Sequence, residues 1–452
     1  MNRKQVSLSV DTLDLLKEKI LKSAIEGKLV PQIEEESEAP QIGKIPEEVP
    51  FEIPKKWKWI YLGRVGSWKS GLTPSRSNPM YYENGNVNWL KTGDLNDGAI
   101  TKTSEKITTA AVSEGRLRIN PIGSVLMAMY GATIGKLGIL AVPSTTNQAC
   151  CACIPENFVN NKYLFYFLLA RRQQFISMGA GGAQPNISRN KIVNSSFPLP
   201  PLEEQRRIVE RLDTLFSEID AIQKSIDEVS RLSESFEKQL LQSAISGKLV
   251  PQLDEESEAK QIGQAPEETP FDIPCKWKWI RLNSLTDYIQ RGKSPKYSEV
   301  KKIPVVSQKC NQWSGFEIDK ARFIDPDTIS KYSEERKLQD LDLLWNSTGT
   351  GTIGRVAVYE SKLNPFDTAV ADSHVTVVRV DKELMLPKFL YWFLRSPFVQ
   401  RSIESLADGS TNQKELATRT IKNVLVPVPP LEEQKRIVEK LDKLMLEIKK
   451  LK

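Results

Sequence analysis

The sequence contains one pattern twice, and this internal duplication restricts the possible folds more than any other feature. Residues 21–60 and 241–280 are identical at 30 of 40 positions and lie 220 residues apart. The stretch PPLEEQRRIVERLDTLFSEI at 200–219 returns as PPLEEQKRIVEKLDKLMLEI at 429–448, 229 residues later. Self-similarity at a nearly fixed period indicates repeated structural units. The chain is therefore predicted to contain two units, each about half of its 452 residues.

Residues 200–246 are predicted to form one long helix. Their apolar residues recur at alternating spacings of four and three, which is typical of a coiled-coil seam, and Ser233 interrupts that seam. Two prolines can open the helix and Gly247 can close it. A helix over 202–246 would be about 68 Å long. Such a seam requires a partner helix. The predicted seam residues are Ile208, Leu212, Leu215, Ile219, Ile222, Ile226, Val229, Phe236 and Leu240.

The two ends of the chain supply that partner. The C-terminal segment repeats the first half of the central helix, and the N-terminal segment around Leu16 and Ile20 repeats its second half. The ends thus complete one repeat, so the sequence predicts a cyclic pseudo-two-fold arrangement. The predicted fold class is α+β, with two pseudo-repeated globular domains separated by a long antiparallel coiled coil.

The predicted domain boundaries follow the repeat. They are an N-terminal helix over 1–30, a first globular domain over 31–200, the central helix over 201–250, a second globular domain over 251–428 and a C-terminal helix over 429–452. Irregular linkers rich in Pro, Glu and Ser are expected over 31–56 and 251–276. Each linker ends in Trp-Lys-Trp, which is expected to anchor the first strand of its domain in the core. The alternative is that these tryptophans stack on nucleic-acid bases.

Composition excludes several classes of protein. The net charge of +6 is compatible with a nucleic-acid partner but does not establish one. The amphipathic N-terminus offers no signal-peptide core, and the apolar runs are too short to span a bilayer. Five cysteines without a spaced framework suit a reducing compartment, so a cytoplasmic chain is expected. Cys150 and Cys153 form a CxxC pair, for which a buried strand is expected rather than a metal or redox site.

Motifs for catalysis are weak. GTGTIG over 349–354 fits a dinucleotide fingerprint, but the alternating residues after it favour a strand–turn–strand. Asp327 and Glu335-Arg336-Lys337 resemble a nuclease constellation but lie in a short polar stretch that is predicted to be helical. The single histidine, His374, has no evident nucleophile beside it, so a structural role is expected. No catalytic, cofactor-binding or metal-binding residue is predicted.

Four polar loops, most of them with a cation, recur at matching places in the segments 61–199 and 281–428, which otherwise match poorly. They are 68–79 with 290–298, 91–96 with 307–313, 129–136 with 346–355, and 181–188 with 409–415. Lys and Arg suit phosphates, amide and hydroxyl side chains suit base edges, and glycines allow close backbone approach. Each loop alone is typical of an ordinary surface, but their recurrence favours a nucleic-acid-binding surface. The candidate binding residues are Lys69, Ser70, Thr73, Ser75, Arg76, Lys91, Thr92, Tyr130, Thr133, Lys136, Gln184, Asn186, Arg291, Lys293, Ser294, Lys296, Gln308, Lys309, Asn346, Ser347, Thr348, Thr350, Thr352, Arg355, Thr411 and Gln413.

Three paired motifs resemble the specificity subunit of type I restriction–modification systems. They are GKLVPQ at 27–32 and 247–252, IPxxWKWI at 53–60 and 273–280, and PLPPLEEQRRIVERLD with PVPPLEEQKRIVEKLD at 198–213 and 427–442. The resemblance implies a non-catalytic DNA-binding subunit. Each variable segment would be a target recognition domain for half of a split DNA site, and the coiled coil would set the distance between the halves.

The same resemblance implies the partners. They are double-stranded DNA, two methyltransferase subunits and the restriction subunits. S-adenosylmethionine, ATP and Mg²⁺ are expected on those partner subunits, and no cofactor is expected on this chain. Two alternatives stay open at this point. One is a stand-alone DNA methyltransferase or nuclease with an unrecognised active site, and the other is a coiled-coil scaffold without a DNA role.

Overall fold

The computed structural model describes residues 10–179, 186–349, 351–407 and 414–451. The chain forms two compact units, unit 1 (Met1–Ser225) and unit 2 (Ile226–Lys452), so the boundary falls inside the long central helix. Within the described residues, no helix is both long and apolar enough to cross a membrane.

Unit 1 combines helices with short strands. Its helices are α1 (Val10–Ile25), α2 (Thr109–Glu114), α3 (Asn161–Ala170), α4 (Arg172–Gly179), α5 (Arg189–Val193) and the first part of α6 (Leu202–Ile245). Its strands are β1 (Lys58–Tyr61), β2 (Gly66–Ser70), β3 (Val87–Leu90), β4 (Gly98–Ile100), β5 (Glu105–Ile107), β6 (Val125–Ala128), β7 (Leu137–Leu140), β8 (Thr145–Thr146), β9 (Cys150–Pro155) and β10 (Ser196–Leu199). The main sheet has the order β2-β9-β6-β7-β4, and a second sheet has the order β5-β3-β8.

Unit 2 repeats this architecture. Its helices after α6 are α7 (Pro387–Arg395), α8 (Pro397–Leu406), α9 (Thr418–Lys422) and α10 (Leu431–Leu451). Its strands are β11 (Lys278–Arg281), β12 (Thr286–Arg291), β13 (Tyr297–Ser298), β14 (Pro304–Val306), β15 (Asn311–Gln312), β16 (Gly315–Phe316), β17 (Arg322–Ile324), β18 (Leu343–Asn346), β19 (Val356–Val358), β20 (Val370–Ala371), β21 (Val375–Val380) and β22 (Leu425–Val428). The main sheet has the order β12-β21-β18-β19, so β12, β21, β18 and β19 correspond to β2, β9, β6 and β7.

The remaining strand pairs support the same correspondence. The first and last strands of each globular part pair antiparallel, β1 with β10 and β11 with β22. In the second sheets β3 runs parallel to β8, and β14 runs parallel to β20. Two segments that match poorly in sequence therefore share the central part of one topology, because burial on the two sheet faces requires apolar residues but not particular ones. The units differ at the edges: β4 has no counterpart in the main sheet of unit 2, and β13 and the β15-β16 pair have none among the named strands of unit 1.

Helix α6 spans 44 residues, about 66 Å, as the heptad pattern predicted. Both ends of its seam are buried. In the middle, however, Ile222, Val229 and Phe236 are 44%, 42% and 48% exposed, while the interrupting Ser233 is buried. The heptad residues of this central stretch are therefore less buried than those at the two ends of the seam. Heptad spacing fixes the face on which a residue lies, but whether another element covers that face depends on the tertiary fold.

The terminal helices pack with α6, one in each unit, as predicted. In unit 1, Leu21 of α1 shares a core with Leu212 of α6, and Lys17 Nζ lies 2.7 Å from Asp220 Oδ1. These pairs place the later residue of α1 beside the earlier residue of α6, so the two helices are antiparallel. In unit 2, Leu240 of α6 and Leu441 of α10 belong to one core.

The irregular linkers are held by the same lysine in each unit. Lys56 Nζ donates to the carbonyl oxygens of Ile33, Glu34 and Glu36 at 2.8, 2.5 and 2.7 Å. Lys276 Nζ makes the equivalent bonds to residues 253, 254 and 256 at 2.6, 3.0 and 2.7 Å. An ammonium group can donate hydrogen bonds to three backbone carbonyl oxygens that have no N–H partner in a helix or sheet. Charge-assisted bonds therefore fix a segment without regular secondary structure.

A glycine that no other residue can replace easily lies between each helix and the linker that follows it. Gly27 and Gly247 have φ of +70° and +71°, and a Cβ there would lie 2.4 and 2.2 Å from a carbon of Pro54 and Pro274. In the Trp-Lys-Trp motifs that end the linkers, the tryptophans are buried and the lysines between them are partly exposed. The prediction that these tryptophans anchor the first strand in the core is confirmed.

Candidate nucleic-acid interface

At one end of each main sheet, strand ends and loops meet in a way that is repeated between the units. We call these places rim 1 (the ends of β2 and β6, the start of β9 and residues 186–189) and rim 2 (the ends of β12 and β18, the start of β21 and residues 414–416). In rim 1, Gly71 N donates to Cys150 O at 3.2 Å, and in rim 2, Gly292 N donates to Val375 O at 2.9 Å. A Cβ on either glycine would lie within 2.2 Å of a backbone oxygen, so the loops leave their strands at close range.

The glycine-rich turns occupy equivalent places at the two rims. Ala128 N donates to Lys136 O at 2.9 Å, and Asn346 N donates to Arg355 O at 2.8 Å. Each turn closes with a left-handed glycine. The GTGTIG segment thus joins strand β18 to strand β19, and the prediction of a strand–turn–strand is confirmed.

A third loop joins each rim from the far end of the sequence. Ile187 N donates to Met129 O at 2.9 Å in rim 1, and Leu416 N donates to Ser347 O at 2.8 Å in rim 2. Three of the four predicted loops of each unit therefore converge. In unit 2 the fourth loop, which contains Gln308, contacts the glycine-rich turn through side chains. Thr352 Oγ1 donates to Gln308 Oε1 at 2.7 Å.

The cations of unit 1 fall into two groups. Arg76 and Lys91 both bind Glu105, at 2.8 and 2.5 Å. The hydrogen bond from Lys91 and the nearby Arg76 hold the pKa of Glu105 below its usual value. Lys69 and Lys136, in contrast, are exposed and form no ion pair within the described residues. The second group therefore carries charge that is available to a phosphate.

Unit 2 has more of its cations engaged. Arg291 Nη1 lies 2.5 Å from Glu415 Oε1, and Lys296 Nζ lies 2.7 Å from Asp325 Oδ2. Lys293 Nζ donates to a backbone carbonyl at 2.7 Å. Arg355 donates to Gln312 and to the backbone of its own turn. Lys309 is exposed and has no ion pair in the described part of the chain.

Two predicted binding residues are fully buried. Asn346 donates to Gln308 O at 3.1 Å and accepts from Asn311, and Ser347 Oγ accepts from Thr376 Oγ1 at 3.0 Å. Neither side chain reaches the surface, so both support the rim from inside instead of contacting a ligand directly. Their polar character suggested exposure, but β18 lies between two strands of the sheet, where satisfied polar groups can be buried.

The other candidate residues either have side chains that are at least partly exposed or lie outside the residues that the structure describes. Thr348 Oγ1 lies 2.6 Å from His374 Nδ1, which places the single histidine at rim 2. The remaining described candidates with exposed or half-exposed side chains are Ser70, Thr73, Ser75, Thr92, Tyr130, Thr133, Asn186, Ser294, Gln308 and Thr352. Gln184, Thr350, Thr411 and Gln413 lie outside the described residues.

Sequence reasoning missed three residues at the rims: Arg189, His374 and Glu415. Arg189 is exposed and follows directly after the last polar loop that the sequence indicated in unit 1. Burial raises the pKa of the Cys151 thiol to about 12, and the nearby charge of Arg189 opposes that rise. Because Cys151 pairs with Ser70, Arg189 lies at the same strand end as the candidate residues.

The sequence features that suggested catalysis or metal binding lie in a buried strand and in two short helical turns. Cys150, Cys151 and Cys153 are unbridged and lie in the buried strand β9, as predicted. Asp327 and Glu335 lie on two separate short 3₁₀ helices, over 326–331 and 334–336. In the described residues, no group of three or more His, Cys, Asp or Glu side chains could hold a metal ion.

Comparisons with known proteins agree on one family. A family model described as type I restriction modification DNA specificity domain matches residues 54–231 and 274–452. The type I restriction enzyme MjaVIII specificity subunit of Methanocaldococcus jannaschii is 26% identical over 406 residues, 88% of each chain. The EcoR124I/EcoR124II specificity subunit of Escherichia coli is 28% identical over 176 residues, 38% of this chain and 43% of that one. The crystal structure of the HsdS subunit from Thermoanaerobacter tengcongensis has a similar fold, with a TM-score of 0.55 at 20% identity over 89% of this chain and 92% of that one.

Proposed function

Because the chain belongs to the type I restriction–modification DNA specificity family, we propose that it recognises an asymmetric, bipartite DNA target, with one half-site for each unit. The observation that carries this proposal is the repeated rim. Each unit presents loops with the same backbone arrangement and different side chains, so each can contact DNA in the same manner and prefer different bases.

As a member of this family the chain is a specificity subunit and not itself an enzyme. The comparisons support this interpretation and not the alternative of a stand-alone methyltransferase or nuclease. Specificity subunits of type I complexes bind DNA and act with methyltransferase and restriction subunits. For this chain we propose two methyltransferase subunits, since a duplicated chain offers each partner surface twice.

The other parts of the proposal concern the complex. S-adenosylmethionine, ATP and Mg²⁺ would be bound by the partner subunits, and the complex would act in the cytoplasm. We further propose that α6 and the terminal helices determine the number of base pairs between the two half-sites. The length of α6, 44 residues or about 66 Å, supports this spacer role.

Exchange of one recognition segment tests the assignment of half-sites. Residues 281–428 would be replaced by the corresponding segment of a relative, the chain would be expressed with its methyltransferase, and methylated bases would be mapped across a genome. We expect a change in one half of the target and none in the other. A change in both halves would contradict recognition by separate units. A control tests the alternative that the chain is itself an enzyme. The purified chain is incubated with DNA, S-adenosylmethionine and Mg²⁺ in the absence of partner subunits, and only the enzyme alternative predicts turnover.

Insertion of one heptad tests the spacer. Seven residues added within 219–229 of α6, with a matching heptad in the partner helix, keep the seam in phase. The two half-sites should stay the same while the gap between them widens. An unchanged gap in the methylation map would exclude a spacer role for the helix.

A further inference from the structure

The single histidine of the chain lies at rim 2, immediately before β21. The carbonyl oxygen of His374 accepts from Ser347 N at 3.0 Å. In rim 1 the equivalent backbone bond runs from Met129 N to Ala149 O at 2.8 Å. Ala149 therefore occupies the place of His374 in unit 1, and the imidazole is a feature of the second unit.

The imidazole ring has a fixed orientation and one free nitrogen. Nδ1 lies 2.6 Å from Thr348 Oγ1 in the glycine-rich turn. The backbone of the residue joins a buried polar network, in which Ser347 Oγ accepts from Thr376 Oγ1 at 3.0 Å and donates to His374 O at 3.3 Å. Nε2 lies on the other side of the ring from Nδ1 and forms no hydrogen bond within the described residues. Because the side chain is exposed, a ligand at the rim can reach this nitrogen.

Protonation makes this ring a cation with a donor that faces away from Thr348. A neutral imidazole has one N–H group, whereas an imidazolium has two. In the charged form, Nδ1–H donates to the hydroxyl oxygen of Thr348, and Nε2–H remains for a ligand. Imidazole is the side-chain group that ordinarily changes its charge between pH 5 and pH 8. His374 can thus give rim 2 a positive charge that depends on the pH.

One carboxyl group lies beside the histidine on the same segment. Asp372 is buried, and its Oδ1 accepts from His374 N at 2.8 Å. Burial raises the pKa of Asp372, and both this hydrogen bond and the charge of the His374 ring oppose the rise. Because Asp372 is enclosed by the protein, it does not compete for a ligand at the rim.

The other segments packed around the histidine carry five charged groups. Arg291 at the end of β12 forms an ion pair with Glu415, which the third loop contributes together with Lys414. Lys293 Nζ donates to a backbone carbonyl at 2.7 Å, and Arg355 donates to its own turn. Most of these cations already have partners inside the chain. A protonated histidine would therefore add a charge that is free to bind a ligand.

A DNA phosphate fits this nitrogen better than a base edge does. An anion is attracted to the charged ring, and a hydrogen bond between a charged donor and a phosphate oxygen is stronger than one between neutral groups. Discrimination between bases in the major groove typically uses two neighbouring groups on one side chain, whereas Nε2 offers a single donor. Contacts to phosphates also make up half or more of the hydrogen bonds in protein–DNA interfaces.

We propose that protonated His374 binds a backbone phosphate of the second half-site through Nε2 and that Thr348 is its positioning residue. This inference rests on the proposed function, because it assigns a backbone contact of the DNA that unit 2 recognises. Binding of the second half-site then strengthens as the pH falls, and rim 1, with alanine at the same place, has no equivalent contact.

The test uses the complete chain in complex with its methyltransferase and a duplex that carries the target. Affinity is measured at pH 6 and pH 8 over a range of salt concentrations. The affinity of the wild-type chain should rise about 3- to 10-fold more between pH 8 and pH 6 than that of His374→Gln. The slope of log affinity against log salt should be steeper by about 0.9 at pH 6 than at pH 8, because one more phosphate is neutralised.

Two further variants separate charge from folding. His374→Lys carries a permanent cation, so it should show the steeper salt dependence at both pH values, which also covers the case in which glutamine disturbs the fold of unit 2. Lys362→Ala removes an exposed cation beyond the opposite end of β19 and should behave like the wild type.

The bond to Nδ1 is tested separately. Thr348→Val keeps the histidine but removes the hydroxyl group that orients the ring, so the pH effect should shrink. Thr348→Ser restores the hydroxyl group and should restore the effect. A merely structural role of Thr348 would lower the affinity equally at both pH values.

Uncharged methylphosphonate linkages locate the phosphate. Each phosphate of the second half-site is replaced in turn, and at one position the difference between wild type and His374→Gln should disappear. The same replacements in the first half-site should leave that difference intact.

Three outcomes would overturn the proposal. They are equal pH dependence in wild type and His374→Gln, a pH effect that persists with every methylphosphonate duplex, and an altered base preference at one position in His374→Gln, which would assign a base edge instead. If the wild-type chain selects no bipartite target at all, the proposed function fails first, and that result differs from the failure of His374 alone.

Discussion

Replacement of Lys56 by methionine tests whether one ammonium group holds the first linker. Methionine keeps most of the apolar stem and removes the charge. Three bonds are lost, to the carbonyl oxygens of Ile33, Glu34 and Glu36. A hydrogen bond to a charged group contributes about 1.5–3 kcal/mol. Water can replace the ammonium at the exposed Glu34 carbonyl. The variant also regains part of the side-chain entropy that the ordered lysine has lost, which is at most about 2 kcal/mol. We therefore expect a net loss of about 2–3 kcal/mol in the local stability of the linker.

Backbone hydrogen exchange measured by mass spectrometry reports this local stability. In the Lys56→Met variant, peptides covering 31–56 should exchange about 30- to 150-fold faster. Lys276→Met should do the same to 251–276, because Lys276 makes the same three bonds. The neighbouring exposed Lys55 supplies the matched control, and Lys55→Met should change neither linker. Equal exchange in Lys56→Met and Lys55→Met would refute the reasoning, since the bonds would then contribute nothing.

Three further expectations concern the linker, the start of α6 and the DNA surface. Gly27→Ala and Gly247→Ala should each lower the melting temperature, because positive φ and the neighbouring proline ring both exclude a Cβ, and each should cost about 2 kcal/mol or more in unfolding free energy. Burial raises the pKa of Glu204 above 4.5, so its contribution to stability is complete below that pH and is lost as the pH rises through the higher folded pKa. In urea unfolding, Glu204→Gln should therefore reduce the fall in stability between pH 5 and pH 8. Lys69→Ala should reduce the salt dependence of DNA binding by about one unit of slope, whereas Arg76→Ala, which removes a cation already paired with Glu105, should have a smaller effect.

The sequence was informative wherever a pattern is local. The heptads of α6, the glycine that closes each helix and the buried cysteine strand all depend on residues close together in the chain. The internal repeat added long-range information, because two copies of one motif must fold in the same way. This is why the helix pairs and the strand anchored by each Trp-Lys-Trp could be predicted.

The rims could be predicted only in part, because they depend on contacts between distant segments. Arg291 and Glu415 are 124 positions apart and form an ion pair that no spacing rule indicates. Asn346 and Ser347 were predicted at the surface because they are polar, yet their strand is central in the sheet and the network satisfies them. Which strand lies in the centre of a sheet depends on the topology of the whole sheet. It cannot be predicted from the sequence of that strand alone.

The two units share their linker residues but differ in their rim residues, and this difference follows from the way in which linkers and rims are stabilised. The linkers are fixed by side chains, namely Lys56 and Lys276, and by glycines with positive φ, so the same residues are needed in both copies. The rims are fixed mainly by backbone N–H groups and carbonyl oxygens, which almost every residue possesses. Their side chains are consequently free to differ between the units without disturbing the scaffold. A chain built in this way can change the side chains of one rim while its linkers and its other rim stay as they are.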